Sequence, residues 1–178
     1  MIKNPALEAK GIWKGYEDPN GSFNWVLKEL NLKLLEGDFI SVWGRPDSGK
    51  STLLKIMSFR ELPDKGEVYF QGRLIGKSGV EELNEMRSER IWLIEHYVKA
   101  NQLTVGIGVK LAAVLLDEPD EQLKYKPGNL FYKNVCHLNS QGIAVVTATR
   151  NPAAASLAPS IYKLSGGKIE KITGSFDR

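Results

Sequence analysis

The stretch that decides the fold of this chain is "GRPDSGKST", which runs from Gly44 to Thr52. It matches the pattern G-x-x-x-x-G-K-[ST] at every defined position, and this pattern forms a loop whose backbone N–H groups surround a phosphate. The mostly apolar segment "DFISVWG" leads into it as a predicted buried strand, and a helix is predicted after it. Because strand, glycine turn and helix follow in the required order, the stretch predicts a phosphate-binding loop.

The chemistry of a bound triphosphate gives each part of this loop an expected role. Gly49 allows the backbone to approach the phosphate closely, Lys50 reaches the β- and γ-phosphates, and the Ser51 hydroxyl binds Mg²⁺. Pro46 removes one N–H donor and the carboxylate of Asp47 repels phosphate unless it points outward, which predicts an affinity below average. The residues of the loop expected to bind nucleotide are Gly44, Arg45, Pro46, Asp47, Ser48, Gly49, Lys50, Ser51 and Thr52.

A second stretch, "AVLLDEPD", contains the carboxylates Asp117 and Glu118. Its apolar part is predicted to be a strand that brings Asp117 to the carboxyl edge of a parallel sheet, beside the loop. There Asp117 can hold Mg²⁺ through its water shell, and Glu118 can polarise an attacking water. An acidic turn at a strand end indicates little by itself. Together with the loop it predicts a nucleotide and Mg²⁺ site in which Lys50 and Glu118 are the catalytic residues.

Strands and helices are predicted to alternate along most of the chain. The segments "LEAKGIWKGY", "VLKELNLKLLEG" and "KGEVYFQGRLIG" alternate apolar with polar residues as half-buried strands do. Helices are predicted for "GVEELNEMRS", for residues 129–140 and for "PAAASLA", and strands for "RIWLIEH", "GIAVVTATR" and a closing antiparallel pair. This order predicts an α/β fold with a mainly parallel sheet flanked by helices, plus an antiparallel β lobe. We expect a single domain, 1–178, with the lobe at about 1–40 and 66–76 and the α/β core in the remainder.

The composition argues against several classes of protein. A formal charge of +3, spread along the chain without a run of Lys and Arg, does not indicate a nucleic-acid partner. The first residues lack the apolar core of a signal peptide and no stretch of about 18 apolar residues occurs, so we expect a cytosolic chain. The chain has one cysteine, Cys136, and two histidines, His96 and His137, which argues against an internal disulfide and a zinc site.

Beyond the two motifs, most of the chain resembles the nucleotide-binding subunit of ABC transporters. The similarity covers the opening strands, the loop and its helix, "LLDEP" and "GIAVVTATRNPAAASLAPSIYKLSGGKI", and it is greatest for the subgroup that serves lipoprotein release, macrolide efflux and cell division. It implies a P-loop NTPase core of the ABC type, ATP and Mg²⁺ as ligands, and a membrane transporter subunit as partner at the cytoplasmic face of a membrane. By position, Tyr16 matches the aromatic residue that stacks on adenine in this family, with Trp13 as the alternative.

The chain departs from the family pattern between its two motifs. There the family has a helical subdomain with the signature Leu-Ser-Gly-Gly-Gln, whereas here "KLAA" joins directly to "VLLDEP". The helical subdomain and its signature are therefore expected to be absent. Two polar family positions also differ: the glutamine that helps hold metal and water is His96, and the histidine that contacts the γ-phosphate is Arg150.

These departures predict weak or conditional ATP hydrolysis. In the family the signature supplies a serine and a helix N-terminus to the nucleotide of a partner, so a homodimer of this chain would lack that element. Arg150 has two interpretations, a guanidinium that contacts the γ-phosphate in cis or a surface arginine paired with a carboxylate, and we favour the second. His96 is similarly interpreted as a polar strand-end residue rather than a metal ligand.

Other functions remain open beside an ATPase that drives a membrane partner. The departures favour a degenerate, non-hydrolysing nucleotide-binding module with a structural or regulatory role, although such a module has no need of Glu118. A small phosphotransferase is disfavoured, because residues 96–110 and 119–128 contain no arginine for a lid. The remaining hypothesis is a deletion product whose ancestor kept the helical subdomain.

The tetrapeptide Leu164 to Gly167 has the letters of the family signature but not its position. It follows both motifs instead of lying between them, and the next residues, "KIEKI", alternate as a strand does. The pair Gly166-Gly167 suits a two-residue hairpin turn. We therefore predict a hairpin here and not a nucleotide-binding signature.

Overall fold

The structure, a computed structural model, describes residues 4–75, 90–95, 111–119 and 129–172. These residues form two β-sheets and three helices. The strands are β1 (Pro5–Glu17), β2 (Phe23–Leu35), β3 (Phe39–Trp43), β4 (Lys65–Phe70), β5 (Arg73–Ile75), β6 (Ile91–Glu95), β7 (Ala113–Asp117), β8 (Ala144–Thr149), β9 (Ser160–Ser165) and β10 (Lys168–Ile172). The helices are α1 (Lys50–Met57), α2 (Leu130–Ser140) and α3 (Pro152–Ala155).

Four strands form an antiparallel sheet in the order β2, β1, β4, β5. Its long strands alternate buried apolar residues, such as Ile12 and Leu30, with more exposed polar ones, which is why the period-2 pattern of the sequence indicated them. The next strand, β3, begins at Phe39 and belongs to the other sheet. The predicted lobe boundary at about residue 40 therefore includes two residues, Phe39 and Ile40, that lie in the parallel sheet.

Six strands form the second sheet in the order β10, β9, β3, β8, β7, β6. Neighbours from β9 to β6 run parallel, and β10 at the edge runs antiparallel to β9. Every residue of β7 and β8 is buried, as expected for strands covered on both faces. Because β8 lies between β3 and β7, the segments that follow β3 and β7 leave the same edge of the sheet on either side of β8. Such a crevice at the carboxyl edge is where open α/β sheets bind ligands.

The parallel sheet separates two hydrophobic cores. One face packs against α1 and the antiparallel sheet, with Leu53 and Leu54 of α1 in that core. The other face packs against α2 and α3, with Phe131 of α2 in the second core. Because side chains alternate along a strand, Asp117 lies on the same face as Leu115, which is the face toward α1.

The three helices begin in different ways. Asn129 caps α2 by accepting a hydrogen bond from the N–H of Phe131 (2.8 Å), and Asn151 caps α3 by accepting from the N–H of Ala153 (2.9 Å). The N-cap of α1 is Gly49, and no side chain caps this helix. The first N–H groups of α1 therefore remain available for a ligand.

The predicted α/β fold, with its mainly parallel sheet and antiparallel β lobe, is confirmed. The predicted helix in residues 79–88, His96 and the connector 121–128 lie outside the described residues. In the part of the chain that the structure describes, no helix is long and apolar enough to cross a membrane.

Candidate functional site

The phosphate loop starts where β3 ends, at Gly44. A Cβ atom on Gly44 would lie 2.5 Å from Ser48 Oγ and 2.6 Å from the carbonyl oxygen of Leu164. The N–H of Gly44 donates to the carbonyl oxygen of Thr149 at the end of β8 (3.2 Å). The first glycine of the motif is therefore required because the loop folds back on itself and against β9.

The second motif glycine, Gly49, turns the chain into α1. Its φ is 99°, in the left-handed region that favours glycine. A Cβ atom there would lie 2.9 Å from both Val26 Cγ1 and Leu27 Cδ2 of the antiparallel sheet. The glycine thus allows the N-terminus of α1 to approach β2 closely.

Lys50 is the buried cation of the loop, with a side chain only 5% exposed. Its ammonium donates to the carbonyl oxygens of Gly44 and Arg45, each at 3.0 Å, and lies 3.2 Å from Glu118 Oε1. An ammonium in this setting is little screened by solvent, so it interacts strongly with a nearby anion.

The two predicted carboxylates stand at the end of β7. Asp117 is the last residue of that strand and is paired with Ala148 of β8. Glu118 has a φ of 46°, and its N–H donates to the carbonyl oxygen of Ala148 (2.8 Å). Its Oε2 accepts a hydrogen bond from the N–H of Arg150 (3.1 Å). The structure therefore brings Lys50 and Glu118 into direct contact at the sheet edge.

Two buried oxygens at the loop and the carboxylate edge have no hydrogen-bond partner among the described residues: Ser48 Oγ and Asp117 Oδ1. Leaving such an atom unpaired costs about 1 to 3 kcal/mol, so these positions suit a ligand that supplies a partner. No group of three or more His, Cys, Asp and Glu forms a metal cluster in the described ranges. Asp117 and the Ser51 hydroxyl fit Mg²⁺, which usually takes one or two protein oxygens with water and phosphate.

A cleft of about 240 Å³ opens beside the loop. Asp47, with a φ of 59°, is exposed and lines the cleft. Val26 also lines the cleft and was not predicted from the sequence, because no motif contains it and only its contact with Gly49 places it there. The lining residues are Val26, Asp47, Gly49, Lys50, Ser51 and Thr52.

Tyr16 stands beside α1 at the side of the antiparallel sheet. Its hydroxyl donates to Glu61 Oε2 (2.9 Å) and lies 3.4 Å from Thr52 Oγ1. Burial raises the pKa of Tyr16, and the hydrogen bond to Glu61 raises it further. The alternative, Trp13, packs edge-on against Trp25 with ring centroids 5.3 Å apart. The contact with Thr52 favours Tyr16 as the aromatic residue beside the loop.

Arg150 touches the site through its backbone. Its N–H donates to Glu118, and its carbonyl oxygen accepts a hydrogen bond from Trp43 Nε1 (3.2 Å). These contacts leave both interpretations of its guanidinium open. His96, the other polar position that differs from the family, lies outside the described residues.

Glu95 is a residue at the sheet edge that the sequence analysis missed. It ends β6 and is paired in register with Asp117 of β7, so the two carboxylates are neighbours on adjacent strands. Arg60 Nη1 lies 2.7 Å from Glu95 Oε2, and Lys55 Nζ lies 3.8 Å from its Oε1. The sequence did offer a signal for Glu95: it is a polar residue at the end of an apolar strand, and that strand ends at the same edge of the parallel sheet as Asp117.

Comparison with known proteins agrees with this arrangement. An uncharacterized ABC transporter ATP-binding protein of Methanocaldococcus jannaschii is 37% identical over 123 residues, covering 67% of this chain and 53% of that protein. A macrolide export ATP-binding/permease protein MacB of Paracoccus denitrificans is 23% identical over 220 residues, covering 93% of this chain and 33% of that protein. The chain thus spans about half the length of the first relative and about a third of the length of the second. The second alignment is longer than the whole chain of 178 residues, so it includes positions at which this chain has no residue.

The fold has close counterparts among solved structures. The dimeric structure of MJ0796, a bacterial ABC transporter cassette, matches with a TM-score of 0.77 at 22% identity, covering 94% of this chain and 99% of that chain. A family model described as ABC transporter matches residues 27–173, which include the loop and both carboxylates. This protein therefore belongs to the ABC transporter family and has the α/β fold of its ATP-binding cassettes.

Proposed function

We propose that this chain binds ATP with Mg²⁺ at the loop of residues 44–52. The observation that carries the proposal is the environment of Lys50: a buried ammonium at the uncapped N-terminus of α1, held by two loop carbonyls and Glu118. The unpartnered oxygens of Ser48 and Asp117 are further support, because a phosphate and a hydrated cation would supply their partners.

Each group has a distinct role in this proposal. The N–H groups of the loop and of the first turn of α1 bind phosphate oxygens, and Lys50 neutralises the β- and γ-phosphates. Ser51 and Asp117 hold Mg²⁺, which when bound neutralises charge that develops on the phosphates. We assign the nucleoside to the side of Tyr16 and Val26, because Val26 lines the cleft and the Tyr16 hydroxyl lies 3.4 Å from Thr52 Oγ1. Glu118 is the group that orients and polarises water.

We further propose that hydrolysis by the isolated chain is weak or conditional. The alignment with the MacB relative, which exceeds the length of this chain, supports the loss of an internal segment. If that segment is the helical subdomain with the signature, the nucleotide of a partner receives no serine and no helix N-terminus from this chain. A missing trans element of this kind slows phosphoryl transfer by about 10³- to 10⁵-fold.

The domain organisation and partners are proposals of the same kind. We propose that residues 1–178 form one nucleotide-binding domain that works at the cytoplasmic face of a membrane. The MacB relative is named as both ATP-binding and permease protein, and the MJ0796 cassette was solved as a dimer, which supports a membrane transporter subunit and a second cassette as partners.

A non-hydrolysing nucleotide-binding module is the second candidate, and one observation favours it. Both oxygens of the Glu118 carboxylate are engaged by protein donors, Oε1 by Lys50 at 3.2 Å and Oε2 by the N–H of Arg150 at 3.1 Å. A carboxylate held in this way is a poor base for water until a phosphate draws Lys50 away.

Nucleotide titration with and without Mg²⁺ tests the proposal. Calorimetry on wild type, Lys50→Ala and Glu118→Gln measures binding, and phosphate release on the same samples measures turnover. We expect saturable, Mg²⁺-dependent binding by wild type and Glu118→Gln, a large loss in Lys50→Ala, and slow turnover that Glu118→Gln abolishes. Absence of Lys50-dependent binding would contradict the proposal. Binding by wild type without turnover above background would favour the non-hydrolysing module, and turnover that is unchanged in Glu118→Gln would contradict the role given to Glu118.

A further inference from the structure

The hairpin turn between β9 and β10, Leu164–Gly167, contacts two elements beside the cleft, the phosphate loop and β2. At one end, the carbonyl oxygen of Leu164 lies against Gly44, where it would be 2.6 Å from a Cβ atom. At the other end, the carbonyl oxygen of Gly167 accepts a hydrogen bond from the N–H of Lys28 on β2 (2.8 Å). The hairpin turn therefore links the start of the phosphate loop to the strand that carries Val26.

Val26 is enclosed by two glycines from different elements. A Cβ atom on Gly49 would lie 2.9 Å from Val26 Cγ1, and a Cβ atom on Gly167 would lie 2.9 Å from the carbonyl oxygen of Val26. Both glycines have left-handed φ angles, 99° for Gly49 and 82° for Gly167. The position of Val26 in the cleft is thus fixed by the phosphate loop on one side and by the hairpin turn on the other.

We propose that Gly167 is a positioning residue for the nucleoside end of the site, acting through β2. This inference rests on the proposed ATP binding and adds an element that determines affinity for the nucleoside. Gly167 holds β2 at Lys28, and the strand in turn holds Val26 at the wall of the cleft. At the phosphate end, the Lys50 ammonium is held by Gly44, Arg45 and Glu118 and not by β2. A shift of β2 should therefore affect the phosphate end less than the nucleoside end.

A pair of glycine variants isolates this contact. Gly166 and Gly167 are adjacent, and both have left-handed φ angles, 58° and 82°. A Cβ atom on Gly166 would meet nothing within 4 Å, whereas on Gly167 it would meet the backbone of Val26. Gly166→Ala therefore imposes a similar backbone strain without displacing β2, and it is the matched control for Gly167→Ala.

The experiment measures the affinities of both variants for Mg-ATP and for Mg-tripolyphosphate, which has phosphates but no nucleoside, by calorimetry. We expect Gly167→Ala to lose about tenfold in ATP affinity because β2 must shift, and less than about twofold in tripolyphosphate affinity. Gly166→Ala should change either affinity by less than about twofold. The proposal would be overturned if Gly167→Ala lost affinity for both ligands equally or had no effect on either. It would also be overturned if the two variants changed ATP affinity equally.

A measurement on wild type keeps the proposal testable if Gly167→Ala does not fold. The Lys28 amide, which donates to Gly167, should exchange its hydrogen more slowly when Mg-ATP is bound than in the free protein. Its exchange rate should be unchanged when Mg-tripolyphosphate is bound. An unchanged rate with ATP would overturn the inference. Wild type that binds neither ligand would contradict the proposed function itself, whereas wild type that binds both without this difference would contradict only the role of Gly167.

Discussion

The phosphate loop and the hairpin turn contain similar residues and lie beside the same strand, β2. The loop contains Ser48-Gly49-Lys50, and the turn contains Ser165-Gly166-Gly167 and is followed by Lys168, the first residue of β10. Each follows a strand of the parallel sheet, and each has a left-handed glycine in close contact with Val26. In the loop the next element is the helix α1, whereas in the hairpin it is the strand β10.

The following element decides what the two turns can do. At α1 no side chain caps the first N–H groups, so they can converge on an anion, and Lys50 is buried beside them. In β10 the backbone pairs with β9, and Lys168 is exposed to solvent. Glycine and lysine in a tight turn therefore indicate an anion site only where a helix follows.

The largest expected difference between the two turns is in the effect of their lysines. Lys50→Ala should lower ATP affinity by about 10²- to 10³-fold, because it removes a buried, hydrogen-bonded charge that faces the phosphates. Lys168→Ala is the matched control and should change the affinity by less than about twofold, because surface charges contribute little. Calorimetric titration of both variants measures the difference, and equal losses would remove the distinction between loop and hairpin.

The next largest effect concerns the fit of glycine in the loop. Gly49→Ala should destabilise the fold by about 2 to 3 kcal/mol, because a left-handed backbone and close contacts with Val26 and Leu27 both oppose a Cβ atom. Gly142 has a φ of 86° with nothing within 4 Å of its Cβ position, so Gly142→Ala should cost only about 1 kcal/mol. Urea denaturation of the two variants measures the costs. A cost for Gly49→Ala no larger than for Gly142→Ala would show that contact with β2 is unimportant.

The smallest effect concerns a hydrogen bond that joins β1 to the residue before β4 in the antiparallel sheet, away from Val26. The N–H of Gly15 donates to Asp64 Oδ2 (2.8 Å), and this hydrogen bond lowers the pKa of Asp64 below its ordinary value of 3.8. A lowered carboxyl pKa stabilises the fold above the ordinary value, and this contribution is lost as pH falls through the lower folded value. The amide oxygen introduced by Asp64→Asn can still accept this hydrogen bond without the charge, and the Asp64 side chain is 35% exposed, so solvent screens the carboxylate. Asp64→Asn should therefore cost no more than about 0.5 kcal/mol at neutral pH.

The pH dependence of the free energy of unfolding distinguishes this hydrogen bond from the glycine contacts. The difference in free energy of unfolding between wild type and Asp64→Asn should stay constant from about pH 7 to 5 and shrink below about pH 4. No titrating group contributes to the cost of Gly49→Ala, so this cost should not shrink as the pH falls. Urea denaturation over this range measures both, and an Asp64→Asn difference that grows as pH falls would contradict the assignment.

Much of the fold could be predicted from the sequence because its signals are local. The loop pattern, the alternation in β1 and β2, and the apolar runs of β7 and β8 each indicate an element within a few residues, and the hairpin at Gly166-Gly167 was predicted in the same way. Val26 has no such signal, and for Glu95 the polar end of an apolar strand was a signal that does not show which residue lies beside it. Their positions depend on pairing with distant strands and on contact with Gly49 or Asp117, and no local pattern encodes those contacts.

The measurement that most directly tests the account is amide hydrogen exchange with and without Mg-ATP. If ATP binds where a helix follows the glycine turn, exchange at Gly49, Lys50 and Ser51 should slow by at least about tenfold, because their N–H groups become hydrogen-bonded to phosphate. Exchange at Gly166 in the hairpin should be unchanged. Protection at the hairpin without protection at Gly49 to Ser51, or no protection at either turn under saturating ATP, would contradict the account.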